Sequence, residues 1–142
     1  MTQIRLADTD AEINATFDVM HQLRPHLSQQ DYLPLIRKMQ RSGYLLAFLE
    51  GEGKVRAVAG FRINDSLAWG HYAYVDDLVS DESTRSSGHG KALLDWIERF
   101  ARQHGCTQLH LDSGVQRHGA HRFYLRERMD ITCYHFRREL EY

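Results

Sequence analysis

The chain has 142 residues, 42% of them hydrophobic, and its 19 acidic and 18 basic side chains leave a formal net charge of −1. That length suits one domain around one core. So even a balance excludes a general field for nucleic acid or an anionic membrane, and any anion site must be local. No apolar run approaches membrane-span length, and Met1-Thr-Gln-Ile-Arg5 carries no signal-peptide pattern, so a cytoplasmic protein is expected.

Gln3–Ala7 alternates Ile4 and Leu6 and predicts a first strand. Asp8-Thr9-Asp10 offers capping oxygens to a helix running to about Leu23, with Ile13, Phe17, Met20 and Leu23 on one stripe. Pro25 ends it. Ser28 to Asp31 opens a second helix, with Leu35, Ile36 and Met39 inward, which closes at Gly43. Tyr44–Glu50 and Val55–Asn64 read as strands joined by the tight turn Gly51-Glu-Gly53, a hairpin. Leu67–Ser80 is a long strand rich in Trp, Tyr and Val. After Gly88 a helix carries Ala92, Leu93, Trp96, Ile97 and Phe100 on one face and stops at His104-Gly105. Leu109–Leu111 is a further strand, Gly119–Arg126 a short helix and Ile131–Leu140 a last strand. The order is mixed α/β, with hairpins first and a βαβ crossover later. Cys106 and Cys133 stand alone, without Cys-x-x-Cys, and are expected as buried small apolar residues rather than a disulfide.

The densest signal is Arg85-Ser-Ser-Gly88-His-Gly90-Lys91 between the long strand and the amphipathic helix. A glycine turn feeding a helix start presents free N–H groups and the positive end of a helix dipole, which suits phosphate. Glycine in a turn also serves φ > 0 with no ligand at all. Two nucleotide readings fail on detail. Ala92 follows Gly90-Lys91 where a nucleotide P-loop needs Ser or Thr. Leu93 stands where the dinucleotide fingerprint needs its third glycine.

The placement resembles the GNAT superfamily of acetyl-CoA-dependent N-acetyltransferases. Its pyrophosphate loop, Arg/Gln-x-x-Gly-x-Gly/Ala, matches Arg85, Gly88 and Gly90. Ala120-His-Arg-Phe123-Tyr124 through Arg128-Met129 is similar to the family's Ala-x-x-Phe/Leu-Tyr-x-x-x-Gly-Phe element. Three positions depart from the family: Arg117 stands for an Asn, Arg128-Met129 for Gly-Phe, and Arg85-Ser86 for Arg-Gly.

The resemblance implies a single GNAT domain over residues 1–142, a mixed, mostly antiparallel sheet flanked by helices with a central splayed parallel strand pair. It implies acetyl-CoA as cosubstrate, held by the backbone of Leu78, Val79 and Ser80 and by the loop Arg85, Ser86, Ser87, Gly88, His89, Gly90 and Lys91. Arg117 is a further cofactor contact, and Arg85, Arg117 or Arg122 meets the 3′-phosphate. The main-chain groups at Leu78–Ser80 would polarise the thioester carbonyl. Tyr124 matches the family's general acid, a phenol of ordinary pKa about 10. Asp77 is the candidate amine anchor or base, with Asp76 and Asp112 as alternatives. Asp76 and Asp77, as strand neighbours, are expected to face opposite sides.

Helices from about Thr9 to Ser42 would roof the acceptor side, with His26 and Tyr32 lining it. The acceptor is a primary amine on a small molecule or peptide, with no nucleic acid and no membrane as partner, and a homodimer is expected. His118 and His121 lie three apart without a third ligand at metal spacing, so no metal is expected. The competing classes are a non-catalytic acyl-CoA-binding or interaction domain of the same fold and a nucleotide-binding regulator.

Overall fold

A computed structural model describes residues 1–142. Its backbone forms two compact units, Met1–Leu111 and Asp112–Tyr142.

The first unit runs β1 (Thr2–Leu6), α1 (Asp10–Ala15), α2 (Phe17–Leu23), α3 (Gln29–Arg41), β2 (Leu45–Gly51), β3 (Lys54–Ser66), β4 (Gly70–Ser80), a single 3-10 turn at Glu82–Thr84, α4 (His89–Gln103) and β5 (Gln108–Leu111). The sheet order is β1-β2-β3-β4-β5, antiparallel throughout except for the parallel pair β4–β5. One face packs Leu46, Phe48 and Val58 against Ile13, Phe17, Met20, Tyr32 and Ile36 of the first three helices. On the other face α4 buries Leu93, Leu94, Ile97 and Ala101, and Phe100 meets Phe61 of β3 edge-on at 5.4 Å. This is the expected α/β class. No helix is long and apolar enough to cross a membrane.

The start of α1 follows the capping pattern. Thr9 Oγ1 accepts from the Glu12 N–H while the Glu12 carboxylate accepts from the Thr9 N–H, a reciprocal box. The helix predicted to run on to Leu23 breaks at Thr16. Its buried hydroxyl donates to the Ile13 carbonyl at 2.6 Å and shares a 2.7 Å hydrogen bond with Tyr32 Oη, a local competitor to the helical ladder. Likewise β4 starts at Gly70 rather than Leu67, because Ser66 Oγ accepts from the N–H groups of Ala68 and Trp69 and holds a turn there.

The second unit contains α5 (His118–Arg126). The strand predicted at Ile131–Leu140 does not form, and every residue from 131 to 142 is exposed. A strand exists only with a neighbour to share its backbone hydrogen bonds, and none pairs with this segment. The parallel pair therefore stands at the sheet's end, with β5 as an edge strand. Cys133 is exposed and Cys106 half-buried, so the expectation of two buried cysteines fails; both thiols are free.

Candidate active site

The register of β4 shapes the site. Its pairing with β5 ends at Val75 opposite Leu111, while its pairing with β3 continues to Ser80 opposite Ala57. From Asp76 to Ser80, β4 therefore has a strand on one side only. Backbone groups alternate in direction along a strand, so part of this stretch points where no strand takes it. Leu78 and Val79 are buried and Ser80 half-buried, which leaves the backbone edge as what these residues offer a ligand.

A β-bulge lies at the point of parting. Gly60 pairs with Asp77 and Phe61 with Val75, so Asp76 is the extra residue. Bulges bend a strand, raise its twist and re-aim side chains. The alternation expected of Asp76 and Asp77 is interrupted here, and both carboxylates join one network. Asp77 Oδ1 accepts from Arg24 Nε at 3.0 Å and its Oδ2 from Tyr44 Oη at 2.7 Å. Asp76 Oδ2 accepts from Arg62 Nε at 3.0 Å. The Arg62 guanidinium lies 5.4 Å from the Tyr44 ring centroid and donates to the Ser42 carbonyl. Arg24 also donates to the Asp76 carbonyl.

Burial raises the Tyr44 phenol well above its usual range, and the negative charge of Asp77 adds to the shift. Partial desolvation raises Asp76, against the opposing hydrogen bond from Arg62. Tyr44 reaches Asp77 only because residue 60 is glycine. A Cβ there would stand 1.6 Å from Tyr44 Oη. Tyr44, Arg24 and Arg62 were not singled out from sequence, because the β3–β4 register that gathers them leaves no local signal. Tyr32 does not line the site. It is 1% exposed and hydrogen-bonded to Thr16, and burial pushes its pKa up to about 12. His26 is exposed.

Beyond Ser80, Asp81 anchors the loop. Its carboxylate accepts from Ser83 and from Gln22 Nε2, and Gln22 Oε1 accepts from the Glu82 N–H at 3.0 Å, so one amide of α2 clips the loop twice. These bonds, Gln22's first, hold the Asp81 pKa down. Arg85, Ser86, Ser87 and Gly88 are exposed. Gly88 is the N-cap of α4 at φ +79 and ψ 10, with no side-chain cap, so the N–H groups of His89 and Gly90 have no intrahelical partner. His89 Nδ1 is buried and unpartnered. Lys91 pairs with Asp95 at 3.1 Å.

The two glycines differ in what the fold asks of them. Gly88 is needed for its positive φ. Gly90 has no such φ, and an added Cβ would meet nothing within 4 Å. Glycine in the first turn of a helix costs stability relative to alanine, so folding alone does not account for Gly90.

In the second unit, Tyr124 lies on α5 beside Phe123, ring centroids 5.3 Å apart. Burial raises its pKa, and the charge and hydrogen bond of Arg117 pull the other way. Arg117 occupies the N-cap of α5. Asp112 pairs with His135 Nδ1 at 2.7 Å, and the Ser113 hydroxyl is buried without a partner. Arg128 takes φ +66, and in the first unit Ser86 takes φ +72. Both stand where the family pattern has glycine, so the left-handed backbone is kept without the residue that tolerates it. Such a conformation costs an L-residue roughly 1–2 kcal/mol. Ser86→Gly and Arg128→Gly are each expected to raise stability by about 1 kcal/mol, read as a rise in Tm of about 2–4 °C by calorimetry.

An opened parallel strand pair and an uncapped helix start behind a glycine loop define an α/β protein with main-chain groups left open at one end of its sheet. The chain belongs to the acetyltransferase (GNAT) family, whose model matches residues 10–129. It is 33% identical over 133 residues to the uncharacterized N-acetyltransferase YhdJ of Bacillus subtilis, covering 93% of each chain. It is 32% identical over 99 residues to the aminoalkylphosphonate N-acetyltransferase of Salmonella typhimurium, covering 68% of this chain and 62% of that protein. Among solved structures, an aminoglycoside N-acetyltransferase, AAC(6′)-Iy in complex with CoA, shares the fold at a TM-score of 0.85 and 16% identity, covering 98% of this chain and 95% of that one. The chain is thus an acyltransferase of the N-acetyltransferase kind.

Proposed function

We propose that this protein transfers an acetyl group from acetyl-CoA to a primary amine on a small molecule or peptide, by direct attack in a ternary complex. The observation that carries the proposal is the parting of β4 from β5 after Val75, which leaves the Asp76–Ser80 edge open beside Asp77. Main-chain groups of Leu78, Val79 and Ser80 hold the donor arm and polarise its carbonyl. Arg85 to Lys91 hold the pyrophosphate at the α4 N-terminus, with Gly90 admitting it. Arg117 is a further donor contact.

The reaction forms a nitrogen–carbon bond and breaks the carbon–sulfur bond. The amine gives up a proton through water to bulk solvent, and the departing thiolate takes one from Tyr124, whose phenolate is reprotonated from solvent. Both Asp77 oxygens already accept hydrogen bonds, which favours anchoring the acceptor's ammonium, in place of Arg24, over abstracting its proton. The Salmonella relative acts by name on aminoalkylphosphonates. An acceptor that carries an anion beside its amine suits this site too, since the displaced Arg24 guanidinium, 41% exposed, is free to meet the anion. A cytoplasmic location and a homodimer complete the proposal.

A thiol-release screen over an amine library, including aminoalkylphosphonates, tests it. Turnover with at least one amine is expected. Asp77→Asn is expected to raise the acceptor KM about 10–100-fold, the loss of one charged hydrogen bond, with the acetyl-CoA KM unchanged. Stabilisation of the protein by CoA with no thiol release from any amine would instead establish a non-catalytic CoA-binding domain.

A further inference from the structure

The loop after β4 hangs between two supports. Arg85, Ser86, Ser87 and Gly88 are exposed. Ser86 holds φ +72, a left-handed conformation that persists only where the surroundings fix it. One support is α4, which starts at His89. The other is the 3-10 turn Glu82–Thr84 with Asp81 as its N-cap. The Asp81 carbonyl accepts from the Thr84 N–H at 3.0 Å, and the Thr84 carbonyl accepts from the Ser87 N–H at 3.3 Å. A shift of Asp81 therefore passes through consecutive turn bonds to Ser87 and the start of α4.

Asp81 is itself held from opposite layers. From the sheet, the Arg56 carbonyl accepts its N–H at 2.7 Å, and the Arg56 guanidinium lies 3.9 Å from its carboxylate. From the helices comes Gln22 of α2. Its Nε2 donates to Asp81 Oδ1 at 3.1 Å, and its Oε1 accepts from the Glu82 N–H at 3.0 Å. The partners fix the amide's orientation, since a carboxylate only accepts and a backbone N–H only donates. A charged side chain cannot serve both. Lysine has no acceptor for the Glu82 N–H, and an ionised glutamate would set like charge against Asp81.

We propose that Gln22 is a positioning residue for the donor: its amide sets Asp81 and Glu82, and through that turn the pyrophosphate loop, without touching the donor. The role presupposes that Arg85 to Lys91 hold the pyrophosphate, as proposed above. Losing it weakens donor affinity and leaves the acceptor and the chemical step as they were.

CoA titrated calorimetrically into the full-length chain is the test. Gln22→Ala is expected to raise the CoA Kd about 10-fold, the loss of its hydrogen bonds to Asp81 and Glu82, with the ligand-free Tm within about 3 °C of wild type. Gln22→Glu carries a sharper signature. At about pH 8 the introduced carboxylate opposes Asp81, and the Kd should rise at least as far as in Gln22→Ala. At about pH 5 the introduced carboxyl, held protonated by the negative charge of Asp81, donates to Asp81 and accepts from Glu82 as the amide does. Its Kd should then return to within about twofold of wild type at the same pH. With an amine from the thiol-release screen, kcat and the acceptor KM of Gln22→Ala should stay within about twofold of wild type while the donor KM follows the Kd. A CoA Kd for Gln22→Ala equal to wild type overturns the proposal. So does a loss in Gln22→Glu that is the same at both pH values, or an equal rise in the acceptor KM. A wild-type chain that binds no CoA overturns it together with the reading of the loop, so the wild-type titration tells the two failures apart. Where Gln22→Ala fails to fold, the pH dependence of Gln22→Glu decides the matter.

Discussion

Gly60→Ala is expected to destabilise this protein by about 2–6 kcal/mol. An added Cβ would lie 1.6 Å from Tyr44 Oη and 2.1 Å from its Cζ, so the ring must leave. Overpacking a core costs about 1–3 kcal/mol. Separating the phenol from Asp77 leaves buried polar groups without their partner, a further penalty of about 1–3 kcal/mol. For a chain of this size that corresponds to a fall in Tm of roughly 5–15 °C. The decisive control is the same substitution in a Tyr44→Leu background, where it should cost less than about 1 kcal/mol because the obstructing ring is gone. An equal cost in both backgrounds would show that Tyr44 is not the obstacle. In the proposed chemistry Gly60→Ala also weakens acceptor binding, because Asp77 loses the hydrogen bond that orients Oδ2.

The largest kinetic effect is expected at Tyr124. A positioned general acid is worth about 10²–10⁴ in rate, and Tyr124→Phe removes the proton donor while leaving the ring that packs against Phe123. The kcat should fall at least about 100-fold, with the acetyl-CoA KM within about threefold, as expected for an interaction made only in the transition state. The sign of the pH effect follows from the environment. Burial raises the phenol's pKa and Arg117 only partly offsets this. The group therefore stays protonated through neutral pH, and the wild-type rate should fall only as pH rises past that raised value. The variant should lack this alkaline limb. A kcat for Tyr124→Phe equal to wild type across the pH range would remove Tyr124 from the mechanism.

Much of this was legible in the chain. Helical spacing of Leu93, Ile97 and Phe100, the tight turn at Gly51–Gly53 and the glycines at 88 and 90 are local signals, and each element they mark is present. The resemblance carried by Arg85, Gly88, Gly90, Phe123 and Tyr124 identified the family. The features that escaped depend on contacts between distant residues. The bulge at Asp76 is a matter of register between β3 and β4, and no local pattern encodes it. The break at Thr16 needs Tyr32 to arrive from sixteen residues away. The strand expected at Ile131–Leu140 has the right composition, but composition cannot provide a neighbour. Cys133 is exposed for the same reason. Assignment of Tyr32 to the acceptor wall failed because the family's topology places these helices over the acceptor side without saying which of their residues face the core, where Tyr32 lies.

The bare edge of β4 also bears on how such a protein changes over time. Amides and carbonyls are common to every residue, so a ligand held by them places no demand on the side chains at Leu78 and Val79. Those side chains answer only to the interior they fill. The network of Arg24, Tyr44, Arg62 and the two aspartates has no such freedom, since each member acts through its own functional group. Substitutions along the strand should therefore drift with the core while the donor stays the same, and a change of acceptor should be written in Arg24, Tyr44 and Arg62. Variation is partitioned by backbone and side chain before selection acts on either.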